Sequence, residues 1–128
     1  MSHACGVGDP LGLVETRAIM AAQINNFAHG ASGVRIEVVD ALLALLNANC
    51  IPVVPSRGSV GYLTHAASIG LVLIGHGHAV QGDVRITGAE ACRQIGISPL
   101  RLEAKEGLSL VNGTPCATGL ACVALSRL

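Results

Sequence analysis

Between Val14 and Ala28, Ile19 or Met20, Ile24 and Phe27 recur at three- and four-residue intervals, and the run ends at Gly30. That spacing predicts an amphipathic helix with a glycine stop. From Arg35 to Ala48 the residues Ile36, Val39, Leu42, Leu43 and Leu46 form one stripe, which Val38 and Leu45 widen, so a second, mostly buried helix is expected. Pro52 and Pro55 break the pattern and predict a loop leading into Gly58. His65 to Ile74 is almost continuously apolar, and its length and small residues favour a packed helix over a strand. Gly75-His76-Gly77-His78 ends it. The run Val80 to Ile86, centred on Gly82-Asp83, reads as a short β-hairpin, and Thr87-x-x-Glu90 as a capping box opening a short helix closed by Gly96. Further on, Lys105 to Val111 is helical in pattern, Asn112-Gly113 interrupts, and Pro115 suits the first turn of a last helix to Leu128. The expected fold class is mainly α.

A chain of 128 residues buries a core without disulfides or metal, and one domain is the expectation. Apolar residues make up 51% and charged residues 12%, with Phe27 and Tyr62 the only aromatics, which favours extensive helix packing or burial against other subunits. Eight basic and eight acidic residues cancel, which removes the electrostatic footprint of a nucleic-acid binder. Ile69 to Ile74 is far too short to cross a bilayer, and Met1-Ser2-His3 lacks the features of a signal peptide, so a cytoplasmic chain without membrane contact is expected. The five cysteines are odd in number and form no C-x-x-C, which points to reduced thiols acting mostly as small buried hydrophobes. Val123 to Leu128 carries no terminating signal, and a truncation is the expectation at that end.

Three patterns suggest chemistry and carry little of it. His76-x-His78, with His65, has spacing that suits one ion, yet no carboxylate or cysteine stands at usual zinc spacing beside it, so a solvated loop and no metal site are expected. Gly6-x-Gly8-x-x-x-Gly12 superficially resembles a phosphate-binding loop, but it follows no predicted strand and lacks the Lys-Ser/Thr pair. Asn112-Gly113 is a common turn dipeptide and on that ground alone needs no further role.

Eight runs in one order change this picture. They are Ser2-His3-Ala4-x-Gly6-x-Gly8, Ile24-Asn25, Gly30-x-Ser32-Gly33-x-Arg35, the Ala41 to Asn47 stretch, Gly58-Ser59-Val60-Gly61, Leu63-x-His65, Ala104-Lys105-Glu106-Gly107-Leu108-x-Leu110 and Asn112-Gly113-Thr114. Together they resemble the histidine and aromatic amino-acid ammonia-lyases, with Ser2-His3 more similar to histidine ammonia-lyase than to the phenylalanine enzymes. The resemblance implies a helical fragment, the end of the N-terminal domain and the start of the central helical bundle, with residues 1–128 a single partial domain. It also implies a homotetramer with sites shared between subunits, and a parent reaction that deaminates L-histidine or an aromatic amino acid to a trans-unsaturated acid and ammonia. The family's electrophile, a methylidene-imidazolone, forms from an Ala-Ser-Gly in the chain itself and needs neither metal nor added cofactor.

At the electrophile's position the chain departs from that pattern. The family follows G-S-V-G with A-S-G-D-L-x-P and then L-x-H, whereas here Tyr62 alone separates Gly61 from Leu63. Gly58, Ser59, Val60 and Gly61 therefore frame the loop without its tripeptide, and the prosthetic group is expected to be absent. A literal Ala31-Ser32-Gly33 occurs, but within the Gly30 to Arg35 motif, where the resemblance implies a structural turn. By the same resemblance, Asn112 is a catalytic and substrate-binding residue whose amide bonds at the electrophile site, and His3 lies by the substrate side chain. Tyr62 is a candidate proton donor or acceptor, set against a plain packing role. The family's tyrosine base falls upstream of His3, and further polar groups fall beyond Leu128. The chain alone is therefore expected to be inactive, and the alternative is a non-catalytic helical assembly or a module that binds a small amino acid.

Overall fold

The computed structural model describes residues 3–58 and 63–128. In order, its elements are β1 (Val7–Pro10), α1 (Leu13–Ala28), α2 (Ile36–Asn47), β2 (Cys50–Pro52), β3 (Pro55–Arg57), α3 (Leu63–Leu73), β4 (His78–Gln81), β5 (Val84–Thr87), α4 (Gly88–Gln94), α5 (Glu106–Val111) and α6 (Pro115–Ser126). Helices dominate, as the periodicity predicts. The hairpin is present too: β4 and β5 pair antiparallel with Gln81 opposite Val84, and Gly82 takes the turn at φ +60°. Thr87 caps α4 by accepting from Glu90 N at 3.2 Å, while the Glu90 carboxylate turns to Arg93, so only half of the expected capping box forms.

The strands before α3 differ from the expected loop. β2 adds to the hairpin to give an antiparallel sheet ordered β2-β4-β5, with Ile51 opposite Val80, and β1 pairs separately with β3. Every residue of β2 is buried. Its conformation is imposed by pairing with a strand far along the chain, which local pattern does not report. Pro52, Pro10 and Pro55 each stand at a strand terminus, where the missing N–H is tolerated.

The core gathers α1, α2, α3 and the sheet around Ile19, Met20, Leu42, Leu45, Ile51, Ile69 and Leu73, all fully buried. On α2 the buried face runs through Val38, Ala41, Leu42 and Leu45, leaving Ile36 65% exposed, so the stripe drawn through Ile36 and Leu43 is rotated from the real contact face. Against α1, α6 packs at Gly119, where a Cβ would come within 2.6 Å of the Ala18 carbonyl carbon and the Ile19 nitrogen. Only a glycine lets the two backbones approach so closely.

The span Glu106–Ser126 is 21 residues long and holds an 18-residue stretch of mean hydropathy 1.4, long and apolar enough by composition alone to cross a membrane. It is not one continuous helix. Asn112 is extended at φ −97° and ψ 159°, and Gly113 at φ +105° leaves helical space, so the span divides into α5 and α6. Of the five reduced cysteines, Cys50, Cys92 and Cys116 are buried as expected, and Cys5 and Cys122 are exposed.

Candidate functional site

The Asn112 turn lies between two helices that are positioned in different ways. A helix of six residues such as α5 is too short to persist alone, so its place must come from contacts outside it. The Glu106 side chain, 1% exposed, supplies four hydrogen bonds of that kind. Its Oε1 accepts from Arg35 N at 3.1 Å and Arg35 Nε at 2.8 Å; its Oε2 accepts from Arg35 Nη2 at 2.9 Å and Glu103 N at 2.8 Å. Arg35 also donates to Arg101 O at 2.9 Å. The Arg35 hydrogen bonds outweigh burial and lower the Glu106 carboxyl from the ordinary 4.5 to about 2. Arg35 is pushed up in turn, first by its bond to Glu106. Two neutral bonds complete the seat: Ser109 Oγ donates to Ser32 O at 2.7 Å, and Gln23 Nε2 to Leu110 O at 2.8 Å.

At the end of α5, Asn112 is exposed, and its Nδ2 donates to Leu108 O at 3.0 Å, which closes the last turn. It opens on a cleft of about 450 Å³ shared with Asn26, Ser32 and Ser109. A smaller hollow of about 160 Å³ adjoins it across Asn26 and reaches Asn25, His29 and Thr118. Amides, hydroxyls and one imidazole line this surface, a set able to hydrogen-bond the ammonium and carboxylate of a small amino acid.

Beyond the turn, α6 is fastened to α3 by Cys116 Sγ, 3.2 Å from His65 Nδ1, with both side chains buried. Burial pushes the Cys116 thiol up to about 11, and the same cause raises Cys50 and Cys92. His65 Nε2 has no hydrogen-bond partner among the described residues. Sequence reading placed His65 in the Leu63-x-His65 motif and Cys116 among the buried thiols, and nothing in either spacing signalled that they meet. The Arg35–Glu106 pair was missed likewise, although each residue belongs to a motif noted above.

The remaining sequence candidates sit as follows. His3 is exposed, and its carbonyl accepts from Cys5 Sγ at 3.6 Å. Gly58, at φ +96°, lies against Gly6, where a Cβ on Gly58 would come 3.3 Å from the Gly6 Cα. The structure thus brings the beginning of the chain against Gly58. Thr64 Oγ1 donates to Gly58 O at 3.2 Å and ties Gly58 to the start of α3. Ser59, Val60, Gly61 and Tyr62 fall outside the described residues. No hydrogen bond joins His3 to Asn112 among the described residues. Ala31-Ser32-Gly33 forms the turn between α1 and α2, with Gly30 at φ +74° and Gly33 at φ +65°. His76 and His78 are exposed, and no group of three metal-ligating side chains occurs among the described residues.

The aromatic amino acid lyase family matches residues 1–128, and the chain belongs to it. It is 45% identical over 126 residues to the histidine ammonia-lyase of Caldanaerobacter subterraneus subsp. tengcongensis, covering 96% of this chain and 25% of that relative. The crystal structure of histidine ammonia-lyase from Trypanosoma cruzi superposes with a TM-score of 0.93 at 34% identity, over 98% of this chain and 25% of that one. Tyrosine aminomutase from Streptomyces globisporus gives a TM-score of 0.92 at 38% identity, over 98% of this chain and 24% of that one. The chain thus spans about a quarter of the length of the relatives it matches.

Proposed function

We propose that this chain is the part of a histidine ammonia-lyase-like protein that carries the electrophile-loop frame and Asn112, and that residues 1–128 alone do not turn over substrate. The parent reaction is the non-oxidative deamination of L-histidine, or an aromatic amino acid, to a trans-unsaturated acid and ammonia. The observation that carries the reading is the Asn112-Gly113-Thr114 turn, seated by Arg35, Ser109 and Gln23 beside a polar cleft. Within the ligand site we assign Asn112 and His3 to the substrate, and Tyr62 to a proton donor or acceptor in the loop. A cytoplasmic homotetramer is the assembly that fits the low charge fraction.

The family's prosthetic group is built from the chain's own residues, and those present here do not fit it. Between Gly61 and Leu63 stands Tyr62, which offers neither the serine that loses water nor the Ala and Gly that cyclise. The one literal Ala-Ser-Gly is held in the α1–α2 turn, where Ser32 O is already engaged by Ser109. No step of the reaction is therefore assigned to that group in this chain. The cleft beside Asn112 favours a second reading, binding of a small amino acid without turnover.

Purified protein incubated with histidine, phenylalanine or tyrosine distinguishes these outcomes. The expected result is no rise in ultraviolet absorbance from urocanate, cinnamate or coumarate, with an intact mass showing no loss of water. Product absorbance together with a dehydrated mass would overturn the proposal. A histidine-dependent shift of the Asn112 side-chain amide resonances, without product, supports the binding reading.

A further inference from the structure

Beside α2, the segment Ile97–Leu100 that follows α4 encloses a groove of about 410 Å³. Glu37, Asp40, Ala41 and Ala44 line one side of it, a helical spacing that places all four on a single face. Ile97 and Leu100 form the opposite wall. That wall is pinned at both ends, because Ile97 N donates to Cys92 O at 3.0 Å and Leu100 N to Leu73 O at 2.8 Å. The groove is therefore formed before anything enters it.

Its charge is one-sided. Neither Glu37 nor Asp40 belongs to an ion pair among the described residues. Arg35, whose charge is felt at Glu37, spends its guanidinium on Glu106 and Glu103. One turn further along, no ion pair engages Asp40 among the described residues. The volume lies within the range of small-molecule pockets, roughly 300–1,000 Å³, and suits a ring with a short chain better than a peptide segment.

We propose that this groove binds a small organic monocation, a primary amine on an apolar body. The apolar part lies on Ala41, Ala44, Ile97 and Leu100, and the ammonium is held by the Asp40 carboxylate. This site is separate from the Asn112 cleft, and its test does not depend on lyase chemistry.

Three probes of one shape decide it: phenethylamine, phenethyl alcohol and phenylpropionate, each titrated into the 128-residue chain at neutral pH and followed by amide chemical shifts. The amine is expected to bind about tenfold more tightly than the alcohol through its charge-assisted bond, and the carboxylate not measurably. Shifts should centre on Ala41 and Ala44. Asp40→Asn should bring the amine down to the alcohol's affinity, and Ala44→Leu, which fills the groove, should abolish both. Affinities within twofold for all three probes, an unchanged amine affinity in Asp40→Asn, shifts centred elsewhere, or no amine binding at all would each overturn the proposal. Asp40 is exposed, so its neutral isostere keeps the test decisive even if Ala44→Leu fails to fold.

Discussion

The two polar fastenings on either side of Asn112 are built on opposite plans. Upstream, Glu106 is a buried charge with all its partners present: a guanidinium and two backbone N–H groups converge on one carboxylate. Downstream, Cys116 and His65 meet through a single sulfur–nitrogen contact in a buried setting, and the other ring nitrogen has no partner among the described residues. Removing half of the first strands a charge and several donors, whereas removing half of the second strands little. The position of α5 therefore depends on these specific bonds as well as on the packing of Leu110 and Val111, and that of α6 chiefly on packing area.

The largest expected effect is on the ionic side. Glu106→Ala should lower stability by about 3 kcal/mol, read from the urea midpoint, and a loss no greater than that of Cys116→Ala would erase the distinction between the two fastenings. The same carboxyl sets a pH dependence. Its folded value of about 2 lies below the ordinary 4.5, so its contribution is complete above the ordinary value and disappears as pH falls through the folded one. Urea midpoints taken at about pH 5 and about pH 3 should differ more in the parent chain than in Glu106→Gln.

Packing comes next. Gly119→Ala should cost about 2 kcal/mol, because the new methyl meets the α1 backbone rather than a side chain able to turn aside. An unchanged thermal midpoint would show that α6 floats on α1. Cys116→Ala should cost about 1 kcal/mol, a small loss of packing and one weak bond. At the bottom of the scale is Arg127→Ala. Its bond to Glu15 at 2.6 Å is exposed, and the variant should melt with the parent, which would confirm that burial and not charge alone gives the Arg35–Glu106 pair its weight.

Much of the helical fold was readable from the sequence because each helix advertises itself locally. The glycine after α1, the apolar run of α3 and the proline opening α6 all act within a few residues, and the boundaries found differ from the expected ones by one or two positions. The short strands were not readable, since Cys50–Pro52 becomes a strand only by pairing with His78–Gln81. The site divides the same way. Asn112-Gly113-Thr114 and the Gly58 run stood out as motifs, while the residues that seat them were hidden. Arg35 and Glu106 are 71 positions apart, and Cys116 and His65 are 51 apart, distances at which spacing carries no signal. The rotated face of α2 has a related cause: with apolar residues nearly all round, the pattern alone does not say which side meets α1 and the sheet.

The reach of Glu106 also bears on the order in which the chain assembles. A contact across 71 residues requires a long loop to close before it returns any free energy, and α5 is too short to wait in helical form. The helices α1 and α2, with Arg35 at the start of α2, are expected to form before α5 docks. The turn bearing Asn112 is expected to form late and to open early, so its amides should exchange with solvent faster than those of the α1 interior.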